Sequence, residues 1–164
     1  MKKLYLIRHA KSDWSDPGKN DFDRGLNKRG KRSISLMAKA LKKKGIMPDL
    51  ILSSAAKRAK KTAKGLAKVL GYEGEIIFDK TLYFTEPEEM LERLRNTDER
   101  YTHIFLVGHN PEITEFSNRL TSEYIDNIPT LGIVGLTLKT NTWKAVRTHQ
   151  AKMDFFIFPK MFSS

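Results

Sequence analysis

The chain has 164 residues, with 30 Lys and Arg against 19 Asp and Glu, a formal net charge of +11, and no cysteine. The missing thiol excludes a disulfide scaffold, thiolate metal ligands and a cysteine nucleophile. The excess charge favours anionic partners and is concentrated: Lys28 to Lys68 holds 14 basic residues against Asp49 alone, whereas the remainder nets −2.

This length predicts one domain over residues 1–164 with a sizeable core. Met1-Lys2-Lys3 before apolar residues imitates a signal peptide, but Arg8-His9 ends that run after four residues. An h-region needs roughly 7–15. No other apolar run approaches the roughly 18 residues of a membrane span, so the expectation is a soluble, cytoplasmic protein without a membrane partner.

Leu4-Tyr5-Leu6-Ile7 is the first predicted strand, apolar throughout as in a buried parallel sheet. It ends in Arg8-His9, at the strand end where open α/β sheets bind ligands. A guanidinium is a permanently charged fork that matches phosphate oxygens, and a neutral imidazole is a competent nucleophile. Together they suggest attack on phosphorus. Lys11 to Phe22 reads as a polar loop forming one wall of the site. Asn27 is placed to cap a helix whose Ile34, Met37, Ala38 and Leu41 share one face and which ends at Gly45.

A second strand is expected over Asp49–Leu52, then a helix from about Ala56 to Leu70 closed by Gly71, and a third strand over Glu75–Phe78. Thr85 with Glu88 predicts a capping box and the next helix start. His103 to Val107 is the fourth strand, and Asn110 is placed to cap a helix opening on Pro111. Gly132–Lys139 and Thr142–His149 read as a hairpin turning at Thr140-Asn141, with Phe155 to Phe158 a last apolar patch. Strand–helix alternation predicts a three-layer α/β/α sandwich around a mainly parallel sheet with an antiparallel edge.

Three pieces of this sequence, in this order, resemble the histidine phosphatase superfamily, also called phosphoglycerate-mutase-like. They are Arg8-His9, the Ser53-Ser54 to Arg58 segment with Thr62-Ala63, and Gly108-His109-Asn110-Pro111. Ala10, the short length and Asp23-Arg24-Gly25-Leu26-Asn27-Lys28-Arg29-Gly30 look most like the small SixA-type phosphohistidine phosphatases. The resemblance implies the phosphoglycerate-mutase-like fold and a phosphatase that works without a cofactor. It implies His9 as nucleophile through a phosphohistidine intermediate, Arg8 and Arg58 on the phosphoryl oxygens, and His109 as a further donor to them. Glu86 lies where other branches carry a general acid, but a helix-start glutamate also suits the helix dipole. A phosphohistidine substrate relaxes the need for an acid, because its leaving imidazole accepts a proton near neutral pH.

The implied partner is a phosphorylated protein, such as a histidine-phosphotransfer domain, or a small phosphorylated molecule. Hydrolysis of small phosphate esters and slow-turnover phospho-ligand sensing stay open as alternatives. A basic nucleic-acid-binding domain is the rival from another class, but the charge lies on amphipathic helices without interleaved aromatics or a known binding module, so no nucleic-acid partner is expected. A metal site is not expected either, since two of the four histidines are already assigned and no His-x-x-x-His or acidic cluster occurs. His103, at the far end of its strand, reads as structural. His149 stays open.

Overall fold

The computed structural model describes residues 1–162. Six strands form one sheet: β1 Lys2–Arg8, β2 Leu50–Ser54, β3 Ile76–Asp79, β4 His103–Gly108, β5 Ile133–Leu138 and β6 Ala151–Ile157. The order is β3-β2-β4-β1-β5-β6. The first four run parallel, and β5 and β6 add an antiparallel edge. The sandwich is α/β with mainly parallel strands, as expected.

Alternation along β1 separates two cores. Tyr5 and Ile7 point into a layer with α1 (Lys28–Lys43) and α2 (Lys57–Leu70), together with Met37, Leu41 and Leu66. Leu4 and Leu6 point the other way, into a layer with α3 (Pro87–Arg95) and α4 (Glu112–Leu120), together with Met90 and Phe116. Burying both faces is what makes these strands apolar throughout. Asn27 caps α1 by accepting from Gly30 N–H at 2.7 Å. The α1 and α2 helices give way to Gly45 and Gly71, at φ of +71° and +73°, a conformation glycine adopts without steric cost.

Three local expectations are corrected. The α3 helix is capped at Glu86 rather than Thr85: Glu86 N–H donates to Glu89 Oε1 at 3.3 Å, and Pro87 opens the helix. Proline at the first helical position sacrifices only a donor that has no intrahelical partner. The α4 helix starts at Glu112, not Pro111, because Asn110 is turned elsewhere. Its side chain donates to Ile128 O and Asn127 Oδ1 and accepts from Thr114 Oγ1.

Thr142–His149 is a turn-rich loop, and the partner of β5 is β6. Trp143 accounts for that difference. Its indole is fully buried against the α3/α4 layer, and its Nε1–H donates to Tyr101 O at 2.7 Å while its backbone N–H donates to Glu99 Oε1 at 2.8 Å. These anchors hold the loop out of the β5 ladder.

Candidate active site

Parallel pairing of β1 with β4 aligns Leu4 with Ile104 and Arg8 with Gly108. One residue further, the same register sets His9 beside His109, their ring centroids 5.1 Å apart. Ser54 ends the next strand, and Arg58 lies in the first turn of α2, which follows it. Three strand ends and one helix start therefore bring Arg8, His9, Arg58 and His109 together.

His9 is 6 % exposed and Arg58 8 %. His9 Nδ1 lies 2.7 Å from Ala10 O, a contact only an N–H can make favourably. Its Nε2 therefore carries the lone pair and accepts from Arg58 Nε–H at 3.3 Å. Thr62 supports this arrangement, accepting from Ala10 N–H at 2.9 Å and donating to Arg58 O at 2.7 Å. Burial first, then the cations Arg58 and Arg8, push the His9 pKa down to about 4, so the ring is neutral at physiological pH.

His109 Nε2 lies 2.7 Å from Ser54 Oγ. That hydroxyl also accepts from Ala56 N–H at 3.2 Å, and Nε2 is the one acceptor within reach of its proton among the described residues; a proton donated there places the ring proton of His109 on Nδ1. This Nδ1 is buried without a partner among the described residues, as is Arg8 Nε. Burial first, then His9 and Arg58, push the His109 pKa down to about 3. Arg8 donates from Nη1 to Ile128 O at 3.0 Å. Burial and the neighbouring Arg58 also work against its charge, a cost an anion in the pocket would offset.

Two residues that sequence reasoning did not single out complete the cluster. Asp21 accepts from Arg58 Nη2 at 2.9 Å through Oδ2, and its carbonyl accepts from Nη1 at 2.6 Å. Tyr83 donates its hydroxyl to the same Oδ2 at 2.5 Å and sets its ring edge-on to His109, at 5.4 Å between centroids. The hydrogen bonds from Tyr83 and Arg58 outweigh burial and hold the Asp21 carboxyl below its ordinary range. The Arg58 fork thus already grips one anionic oxygen.

Glu86 is exposed at the start of α3, and no hydrogen bond or ion pair joins its side chain to these residues among those described. His103 is half-buried at the far end of β4, and His149 is exposed on the loop before β6. A pocket of about 290 Å³ is lined by Arg8, His9, Lys11, Ser12, Arg58 and Thr130, with Trp14 at its edge. No group of three or more potential metal-ligating His, Cys, Asp or Glu residues occurs among the described residues.

The model of the histidine phosphatase superfamily (branch 1) matches residues 4–83, which contain Arg8, His9 and Arg58. An uncharacterized chloroplast protein of Arabidopsis thaliana is 32% identical over 152 residues, covering 87% of this chain and 69% of its own. The chain belongs to the histidine phosphatase superfamily. Within the superfamily, its structure is of the SixA type. A candidate phosphohistidine phosphatase SixA from Agrobacterium tumefaciens is 28% identical, with a TM-score of 0.81 over 95% of this chain and 97% of that one. The protein histidine phosphatase SixA complexed with tungstate shares the fold at a TM-score of 0.85 and 18% identity, over 98% of this chain and 99% of its own.

Proposed function

We propose that this histidine phosphatase removes the phosphoryl group of a phosphohistidine-bearing protein, such as a histidine-phosphotransfer domain, through a phosphohistidine intermediate on His9. The observation that carries this reading is the locked tautomer of His9. With Nδ1–H held by Ala10 O, the Nε2 lone pair lies in the pocket beside Arg58.

In the first step His9 Nε2 attacks phosphorus, the bond from phosphorus to the substrate nitrogen breaks, and that imidazole leaves with a proton from solvent. In the second, water attacks phosphorus, the bond to His9 breaks, and the products are phosphate and the free ring. Arg8, Arg58 and the Nδ1–H of His109 hold the phosphoryl oxygens as charge shifts among them. Asp21 is the placeholder: a phosphoryl oxygen takes over Arg58 and the Tyr83 hydroxyl as the carboxylate withdraws.

No cofactor enters either step. The exposed aromatic side chains of Trp14 (63 %) and Phe84 (75 %), near the pocket and beside Tyr83 respectively, suit contact with a protein surface. The SixA-type structures it resembles, a candidate phosphohistidine phosphatase and a protein histidine phosphatase, support the same substrate class.

The test compares a phosphohistidine protein with sugar and nucleotide phosphate esters, using wild type and Glu86→Gln. An alkoxide leaving group gains about 10²–10⁴-fold from a positioned acid, whereas a protonatable imidazole needs far less help. The phosphohistidine protein should be the better substrate, and Glu86→Gln should stay within a few-fold of wild type. A hundredfold loss on the best substrate, with binding intact, would make Glu86 the acid and the substrate an ester.

A further inference from the structure

The α1 and α2 helices carry 30 residues between them and not one Asp or Glu. Along α2, Lys57, Lys60, Lys61, Lys64 and Lys68 recur at spacings of three and four, where like charges repel. Six of the basic residues outside the two helices, among them Lys2, Lys3 and Arg93, pair with carboxylates. Among the described residues, no lysine of either helix does so. A solvated helix face needs no such one-sided pattern.

These charges surround an apolar floor. Gly65 lets the helices approach closely, since a Cβ there would lie 3.0 Å from two atoms of Ile34. The resulting groove, of about 370 Å³, has Leu26, Ile34 and Val69 along its base. Its rim is Lys31, Lys61, Lys64 and Lys68, and among the described residues no acidic one lines it. A backbone bridge and α2 relate it to the active-site pocket, with which it shares no lining residue. Leu26 bridges to Ser12, which lines the His9 pocket, and α2 rises from Arg58 in the site to Lys68 at the far rim. At 1.5 Å per residue that distance is about 15 Å.

We propose that this groove docks an acidic amphipathic helix of the phosphorylated partner, its apolar side chains on Leu26, Ile34 and Val69 and its carboxylates against the four lysines. The occupant follows from complementarity: an apolar floor selects an apolar stripe, and an all-cationic rim selects acids and rejects bases. The proposal rests on the reading that the substrate is a phosphorylated protein, and it places the docking helix within about 15 Å of the phosphohistidine along α2.

The test uses labelled 20-residue peptides of Leu and Glu, one with helical spacing, one scrambled, and a Leu/Lys twin, read by fluorescence anisotropy on the full chain. The helical acidic peptide should bind at least tenfold more tightly than the scramble, and the Lys twin should not bind. Lys61→Glu/Lys64→Glu/Lys68→Glu should invert the preference between acidic and basic peptides. Val69→Ser should weaken the acidic peptide several-fold, and both variants should keep wild-type turnover of p-nitrophenyl phosphate. Equal binding of helix and scramble, indifference to the triple reversal, or tighter binding of a 20-nucleotide DNA to the same lysines would overturn the docking role.

The same peptide carrying phosphohistidine separates docking from chemistry. Attaching the acidic helix should lower KM at least tenfold with kcat unchanged. Failure to bind while free phosphohistidine is hydrolysed would sink the groove alone. Binding without phosphate release from any phosphohistidine substrate would sink the catalytic reading and leave the groove standing.

Discussion

The two ends of the central parallel strands carry similar residue types in opposite circumstances. At the amino end, Asp49 accepts from the N–H groups of Thr102 and His103 at 2.9 Å. Lys2 donates to Glu99 O and Tyr101 O at 2.7 Å each. Glu99 in turn accepts from Trp143 and Lys144 N–H. Each of these charges finds its partners within the chain.

At the carboxyl end, two histidines are driven below their ordinary pKa, and Arg8 Nε and His109 Nδ1 are buried without partners among the described residues. A buried unsatisfied polar group costs about 1–3 kcal/mol. The amino end is complete as folded. The carboxyl end is left incomplete, and that asymmetry marks it as the candidate site, where a bound anion would supply the missing partners.

The largest expected effect removes the nucleophile. His9→Ala should lose at least about a thousandfold in turnover, since a covalent route has no substitute for its nucleophile. Its unfolding midpoint in denaturant should match or exceed that of wild type. Retention of more than a few per cent of wild-type turnover would break the assignment.

The pH response sharpens the contrast. The rings of His9 and His109 titrate at about 4 and about 3 when folded, against 6.5 ordinarily. Below 6.5 the unfolded chain therefore binds more protons than the native one. The stability these neutral rings contribute is present above pH 6.5 and lost as pH falls toward 4 and then 3. Near pH 5 each ring should account for about 1 kcal/mol per pH unit. Denaturant melts at pH 6 and pH 5 should show a smaller loss for His9→Asn than for wild type. An equal loss would contradict the neutral, buried His9.

A pair of aspartates should then divide along the same line. Asp49→Asn, at the complete end, should cost about 1–2 kcal/mol of stability in denaturant melts and leave turnover unchanged. Asp21→Asn, at the other end, should leave stability within about 1 kcal/mol of wild type, because the ion pair it removes is half-exposed. It should tighten inhibition by inorganic phosphate about fivefold, by removing the anion that competes for Arg58. Weaker phosphate inhibition in Asp21→Asn would mean that the carboxylate orders Arg58 rather than holding its place.

What was legible in the sequence follows the range of the interactions. Leu4 to Ile7 and Ile104 to Val107 announce buried strands through apolarity alone, and the family resemblance carried by Arg8-His9, Ser53-Ser54 to Arg58 and Gly108-His109 points to their ends as the candidate site. The helix faces and their glycine stops are equally local. Asp21 was not legible: it lies in a polar loop without period, and the residues that give it meaning, Arg58 and Tyr83, are 37 and 62 positions away. The mistaken hairpin has the same origin. Thr142 to His149 has acceptable strand composition, but Trp143 is committed to Glu99 and Tyr101, more than 40 residues earlier. Thr85 and Asn110 each mislead by one residue, since a capping residue and its neighbour share similar composition while proline and side-chain partners decide the boundary.

The most direct test of the central claim is to trap the intermediate. Wild-type protein mixed with ³²P-labelled phosphohistidine protein and quenched in alkali within milliseconds should carry label that is stable to base, labile to acid, and located on His9 by peptide mapping. Label on a serine, or no enzyme-bound phosphate at any quench time while free phosphate accumulates, would contradict a covalent route through His9.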